Sequence, residues 1–404
     1  MIKECYRFEM IETALNVTQS AIDSVRRKQI VKSGCRVYEN GFVGIAGTLG
    51  EATEETWRQA EENLARKVPY PHAPETDTVR HEDRFGEILD AKEFTARAEQ
   101  LLEKLRNAFP RIIFSNKIGM NRQTVALTND AGLDLLHREN YYVVGLLAKD
   151  VESAAVFDTG AEYVSRTFDV DTAFSDVAQI LQAHTTKVPL PTEKTLPLIL
   201  DPYALLDPLG QALDGQMFHR GASLLSGKQG QKLFSEDVTF CVDRTADNLA
   251  VPFFDAEGMT LPGNRMPLIE NGVLVRPYAD KKTAAEFSCE NTAAAGGAYD
   301  DLPQLRASCL NFASSGKSLQ ELLAGREAAL VIMASGGDCT SEGMWATPIQ
   351  TSYLYRDGKL VGRLPEFNAR GSLFDLLGKG YLGRSADLPF GGNHWLVMEA
   401  EVCE

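Results

Sequence analysis

The chain has 404 residues, 44% hydrophobic and 24% charged, which is enough to bury a substantial core and to form two domains rather than one. Its 41 Lys and Arg stand against 56 Asp and Glu, a formal charge of -15, and that field repels phosphate backbones, which disfavours direct contact with nucleic acid. Charges interrupt every apolar run of Met1–Met10, no stretch approaches the ~20 apolar residues of a membrane span, and the seven scattered cysteines form no C-x-x-C pair, so the expectation is a cytoplasmic protein without membrane contact, signal peptide or disulfide framework.

In chain order, Arg36–Ala46 reads as strand, turn and strand, and Glu51–Val68 as a helix with Trp57, Ala60, Leu64 and Val68 on one side. A second helix is predicted over Asp90–Ala108, where Asp90 and Glu93 have capping-box spacing and Phe94, Ala98, Leu101, Leu102 and Leu105 form the apolar stripe. Strand patterns follow at Arg111–Phe114, Gln123–Thr128, Tyr141–Ala148 and Val151–Asp158, then a helix over Thr172–His184. The stretch Val188–Pro197 carries three prolines in ten residues and reads as an interdomain linker. Beyond it come a buried strand at Leu198–Leu200, a helix in the Ala204–Met217 region, and strands at Asp237–Val242, Ala328–Ala334 and His394–Val402. Asn271-Gly272 and Asp357-Gly358 signal hairpins, because both dipeptides tolerate positive φ. These elements predict an α+β fold: a mixed N-terminal domain over 1–190 and a C-terminal domain over 198–404 dominated by antiparallel strands.

Familiar catalytic motifs are absent: there is no H-E-x-x-H, G-x-S-x-G or P-loop, and the six histidines lie far apart. Asp255 and Glu257, two apart, suggest acid/base work, although Gly258 beside them suggests a turn. His219, Arg220 and Lys228 form a basic cluster that could receive a substrate carboxylate or be a solvated face. Ser335-Gly336-Gly337-Asp338 and Phe390-Gly391-Gly392 offer close backbone approach to an extended ligand, or simply turns.

Taken together, Leu205–Gly215, Arg220–Ser223, Ser226–Gly230, Val251–Gly258, Leu268–Leu274 and Asp280–Gly296 resemble the TldD/PmbA family, on its PmbA-like side. In the TldD branch the first of these segments reads His-Glu-x-x-x-His, two imidazoles holding zinc and a Glu acting as base. Here that register gives Leu206, Asp207 and Gln211. Leucine cannot donate to a metal and a neutral amide replaces imidazole poorly. Asp207, followed by Pro208, reads as a helix N-cap with proline at the first helical position rather than as a relic base. A third, cysteine ligand also has no counterpart in Leu388–Asn393, and Cys403 lies too far along.

The resemblance implies no metal, no cofactor and a non-catalytic subunit, acting as a homodimer or as a heterodimer with a TldD-like zinc-bearing chain on an extended peptide substrate. Strand addition to the C-terminal domain is one way to bind such a peptide. The alternatives are a self-sufficient peptidase built from Asp255, Glu257 and His219, and a regulatory binding protein, since the family is associated with modulation of DNA gyrase.

Overall fold

The computed structural model describes residues 1–306, 309–335, 338–392 and 394–403. Gly336, Gly337 and Asn393 of the segments above lie outside the described residues.

Two long hairpins build the first sheet. β1 (Ile2–Thr18) turns through Gln19 and Ser20, both at positive φ, into β2 (Ala21–Glu39), and Asn40-Gly41, also at positive φ, leads into β3 (Phe42–Leu49). Positive φ at both central residues is what a two-residue hairpin turn requires. Ser20 ties the first turn down: its N–H donates to the Phe114 carbonyl and its hydroxyl accepts from the Phe114 N–H, each at 2.8 Å. α1 (Glu54–Asn63) follows β3, and the six-residue β4 (Val79–Arg84) precedes α2 (Ala91–Ala108). The second hairpin pairs β5 (Ile112–Asn129) with β6 (Asp134–Asp150), and β7 (Thr159–Ser165) pairs with β6. The resulting order is Val68–Pro69, β3, β2, β1, β5, β6, with β4 parallel to the start of β6 and β7 antiparallel to its end.

α2 begins on the capping box read from the sequence: Asp90 accepts from the N–H groups of Lys92 and Glu93, and Glu93 reaches back to the Asp90 N–H. Its five stripe residues are all buried, packing with α3 (Val170–His184) against Phe114, Ile118, Tyr142 and Val144 of the sheet. Val151–Asp158, expected as a strand, is a turn instead. The Asp158 carboxylate accepts from the Asp150 N–H and the Ser153 hydroxyl, and Val151 and Val156 are exposed, so neither valine has a core to bury in.

The second half closes on itself. β8 (Thr195–Leu200) takes in Leu196 and Pro197 from the end of the expected linker and runs between β11 (Ala328–Ala334) and β14 (Leu396–Cys403). β14 then pairs with β13 (Phe367–Ser372), β13 with β12 (Met344–Arg356), and β12 back with β11. Among the described residues of this ring, only the β8–β11 pair is parallel, and the ring wraps a core that includes Leu198, Leu200, Trp345, Ile349, Leu396 and Met398. Beside it, β9 (Phe240–Asp243), β10 (Arg265–Glu270), Val273–Leu274 and Leu310–Phe312 form a four-stranded sheet. The α+β architecture with predominantly antiparallel pairing is therefore the one observed. Among the described residues, no helix is long and apolar enough to cross a membrane.

Candidate functional site

Leu206, Asp207 and Gln211 all lie on α4 (Tyr203–Ala212) and line one cavity of about 270 Å³ with Gly210, Asp214 and Tyr278. The helix starts earlier than expected. Pro202 is its N-cap, Asp207 is its fifth residue, and Pro208 sits inside it, so the reading of Asp207 as a cap with Pro208 at the first helical position is overturned. The first turn is held instead by the N–H groups of Ala204 and Leu205 on the carbonyls of Asp201 and Pro202, while buried Leu205 and Leu209 anchor the helix; a proline within one removes a single backbone donor.

The donor set of this cavity does not fit zinc. Leu206 is aliphatic, Gln211 offers an amide, and both carboxylate oxygens of Asp214 are already engaged, one by the Met217 N–H at 3.0 Å and one by the Tyr278 hydroxyl at 3.2 Å. That leaves Asp207 alone, and among the described residues no three His, Cys, Asp or Glu side chains are grouped as metal ligands.

Asp255 and Glu257 lie in a buried turn where the first sheet meets the second half. Asp255 accepts from the N–H groups of Glu257, Met259 and Ala295 at 2.9, 2.9 and 3.0 Å, so its oxygens hold backbone. Glu257 accepts from the Tyr70 hydroxyl at 2.8 Å and from the Lys281 N–H at 3.0 Å, at the start of α6 (Lys281–Phe287). Burial pushes both carboxyls up, Glu257 to about 7 with help from the Asp255 charge, against the opposing pull of Arg244 on Asp255 and of the donors on Glu257. Around them, Arg36 donates to the Ala256 carbonyl, and Arg84 donates to those of Arg244, Thr245 and Val251. The arrangement locks sheet to turn.

Of the basic trio, His219 and Arg220 share Phe287 as a neighbour. On α5 (Gly215–His219), His219 stacks on Phe287 with ring centroids 4.8 Å apart. Arg220 pairs with Glu286 at 2.9 Å, and Lys228 caps the Leu224 carbonyl beside Phe374. None of the three lines the cavity at α4, and His219 has no contact with Asp255 or Glu257 among its ring and hydrogen-bond partners.

What the sequence reading missed is a groove. The α4 cavity shares Tyr203, Leu206, Asn248 and Leu310 with a second chamber of about 370 Å³, which in turn shares Glu162 and Asp201 with a third of about 360 Å³ under Phe390 and Trp395. The middle chamber carries charge: Glu162 from β7, Asp201 just after β8, and Arg384 and His394 from the end of the chain. Burial raises Asp201 and Glu162, and the Asp201 charge raises Glu162 further. Burial, then the Arg384 charge, lowers His394, and its Nδ1 lies 2.9 Å from the Ser385 carbonyl, so Nδ1 carries the proton. These four residues come from four segments with no local spacing, and only burial and charge in three dimensions mark them.

An uncharacterised protein of Methanocaldococcus jannaschii is 25% identical over 369 residues, covering 87% of this chain and 84% of that one. A metalloprotease of Archaeoglobus fulgidus is 21% identical over 397 residues, covering 94% and 91%. The crystal structure of TldE from Thermococcus kodakarensis superposes with a TM-score of 0.80 at 17% identity, covering 100% of this chain and 97% of that one, which establishes the shared fold. The model of the PmbA/TldA metallopeptidase C-terminal domain matches residues 193–396, half of the chain, a span that contains β8, β11, β12 and β13 of the ring, α4 and the Asp255–Gly258 turn. On that match the chain belongs to the TldD/PmbA family of metallopeptidase-related proteins.

Proposed function

We propose that this chain is a PmbA-like, non-catalytic subunit of a TldD/PmbA-type zinc protease assembly, one that binds unfolded peptide and depends on a TldD-like zinc-bearing partner for hydrolysis. The observation that carries the reading is the chemistry of α4. Where zinc-bearing relatives place His, Glu and His, this chain turns Leu206, Asp207 and Gln211 toward one cavity, and a single carboxylate with a single amide makes no zinc site. The same reading divides the chain into 1–190 and 198–404, pairs it with a second subunit, like or unlike, and keeps it in the cytoplasm.

The groove supports the peptide-binding half of the proposal. Ring closure pairs β8, β11, β12, β13 and β14 on both sides, and the edge of β7 is covered where Gly391 packs on the Glu162 carbonyl, so strand addition would fall to strands off the ring such as Lys359–Arg363 and Tyr381–Arg384, each paired with one strand. An extended peptide would lie along the three chambers, leading past β7 to α4.

Two measurements test this. The full-length chain, incubated with zinc and desalted, is expected to retain no stoichiometric metal by mass spectrometry and to leave unfolded casein intact, while addition of a zinc-bearing family member confers cleavage. One tightly held zinc per chain, or casein turnover by the isolated chain, overturns the proposal. In the second case, loss of turnover in Asp255→Asn or His219→Ala at unchanged stability would identify a self-sufficient peptidase.

A further inference from the structure

Of the four arginines buried among the described residues, three make two or more hydrogen bonds, although Arg36 Nε, like that of Arg384, has no partner. Arg36 has Glu4 and the Ala256 carbonyl; Arg84 has Glu82 and three carbonyls; Arg244 donates to the carbonyls of Pro252, Phe254 and Ala293. Arg384 is just as buried, at 4% exposure, yet it has a single hydrogen bond, from Nη1 to the Phe312 carbonyl at 3.1 Å. Its Nε is sealed from water without a partner, and Arg384 enters no ion pair among the described residues. Asp243, the carboxylate that acts on it most, is occupied by Arg265 at 3.0 Å and by the Thr245 hydroxyl at 2.7 Å, and Asp247 and Asp201 face it across the chamber without an ion pair. A buried guanidinium without a direct ion pair is unfavourable, and the chamber that Arg384 lines is where an anion can enter.

We propose that the middle chamber is a carboxylate-binding site, in which Arg384 receives the C-terminal carboxylate of a peptide lying in the groove. With Nη1 committed to Phe312 and Nε sealed from water, Nη2 is the guanidinium nitrogen left to donate, and it offers a carboxylate oxygen in the chamber one charge-assisted hydrogen bond. The walls select against a phosphate: Glu162, Asp201 and Asp247 line the chamber, where Arg384 is the one Lys or Arg among the described lining residues, so a dianion meets more repulsion than a monoanion. Asn248 and Asn311 in the wall suit the amides that precede a peptide carboxylate. This inference deepens the peptide-binding reading above and rests on it, but it is measured on the isolated chain, without zinc, partner or hydrolysis, so each can fail separately.

The experiment is calorimetric titration of the full-length protein with tetra-alanine as the free acid, with tetra-alanine carboxamide, and with inorganic phosphate. The free acid is expected to bind roughly tenfold tighter than the amide, the scale of one charge-assisted hydrogen bond, and phosphate is expected not to compete. Arg384→Met should erase the difference between acid and amide while leaving amide binding in place. Should Arg384→Met not fold, Tyr203→Glu serves: this residue is 75% exposed at the chamber wall, and the added charge should weaken the acid and spare the amide. Equal affinity for acid and amide, absence of binding by either peptide, phosphate binding as tight as the acid, or a preference for acid that survives folded Arg384→Met or Tyr203→Glu would each overturn the assignment.

Discussion

Tyr70, which follows the first sheet's outermost two-residue strand, donates its hydroxyl to Glu257 at 2.8 Å across the junction between the two halves of the chain. That carboxyl is buried beside Asp255, and it titrates at about 7 rather than near the 4.5 of a free glutamate.

The sign of the resulting pH dependence follows from linkage. Between pH 4.5 and 7 the folded chain holds a proton on Glu257 that the unfolded chain has released, so the contribution to stability is complete below pH 4.5 and is lost as pH rises through 7. The displacement corresponds to about 3 kcal/mol. Glu257→Gln, neutral throughout, should remove that decline in urea unfolding followed from pH 4.5 to 8, leaving the slope due to Asp255, which burial also raises. An unchanged slope in the variant would show that Glu257 does not titrate in this window.

A second junction contact, from Arg36 to the Ala256 carbonyl, is backed by an ion pair within the first sheet. Arg36 meets Glu4 at 3.3 Å with both side chains almost wholly buried, and Tyr38 donates to the same Glu4 oxygen at 2.9 Å. Arg36→Met should cost about 3–5 kcal/mol, because it leaves a buried carboxylate uncompensated and the Ala256 carbonyl without its donor. Adding Glu4→Gln to Arg36→Met should recover part of that loss, a coupling that a double-mutant cycle on unfolding free energies measures directly.

How much of this was legible depended on whether the signal was local. The helix from Ala91 to Ala108 was readable because its cap, its stripe and its end lie within twenty residues of sequence, and all five stripe positions are buried. The strand Ala328–Ala334 was readable as a short apolar run. By contrast, Ile2–Thr18 and the part of Ala21–Glu39 before Arg36 went unread. Long hairpin arms half-covered on both faces mix charged and apolar residues without strict alternation, and Asp23, Arg26, Arg27 and Lys28 belong to an exposed edge. The six-residue metal register could be placed by the glycines around it, yet the helix boundary was wrong, since proline after aspartate suggests a start even where tertiary anchors carry the helix through. Glu162, Asp201, Arg384 and His394 had no local pattern to find.

Restoring the lost ligands tests whether α4 still has the geometry of a metal helix. Leu206 and Gln211 line one cavity, so Leu206→His with Gln211→His should gain zinc binding in competition with a chromogenic chelator, where the parent chain gains none. Binding should be weak, because no cysteine or third imidazole completes the set, and hydrolysis should not follow. A folded double variant that takes up no zinc would mean that Pro208 has turned the two positions apart.

The notch formed by Gly34 and Gly47 offers the last test. These residues are direct cross-strand partners in β2 and β3, and the Tyr299–Asp300 segment seats on both: a Cβ on Gly34 would run into the Tyr299 carbonyl, and one on Gly47 into Asp300. Neither glycine needs a left-handed backbone, so alanine is costly here only through the collision with that segment. Each single change to alanine should cost about 1–3 kcal/mol, the range for overpacking a fitted contact. Once Tyr299–Asp300 has been displaced by one methyl, the second meets open space, and the double variant should cost clearly less than the sum of the two. Additive losses in thermal unfolding would instead mean that the two collisions are relieved independently, and that the segment does not move on and off the notch as one piece.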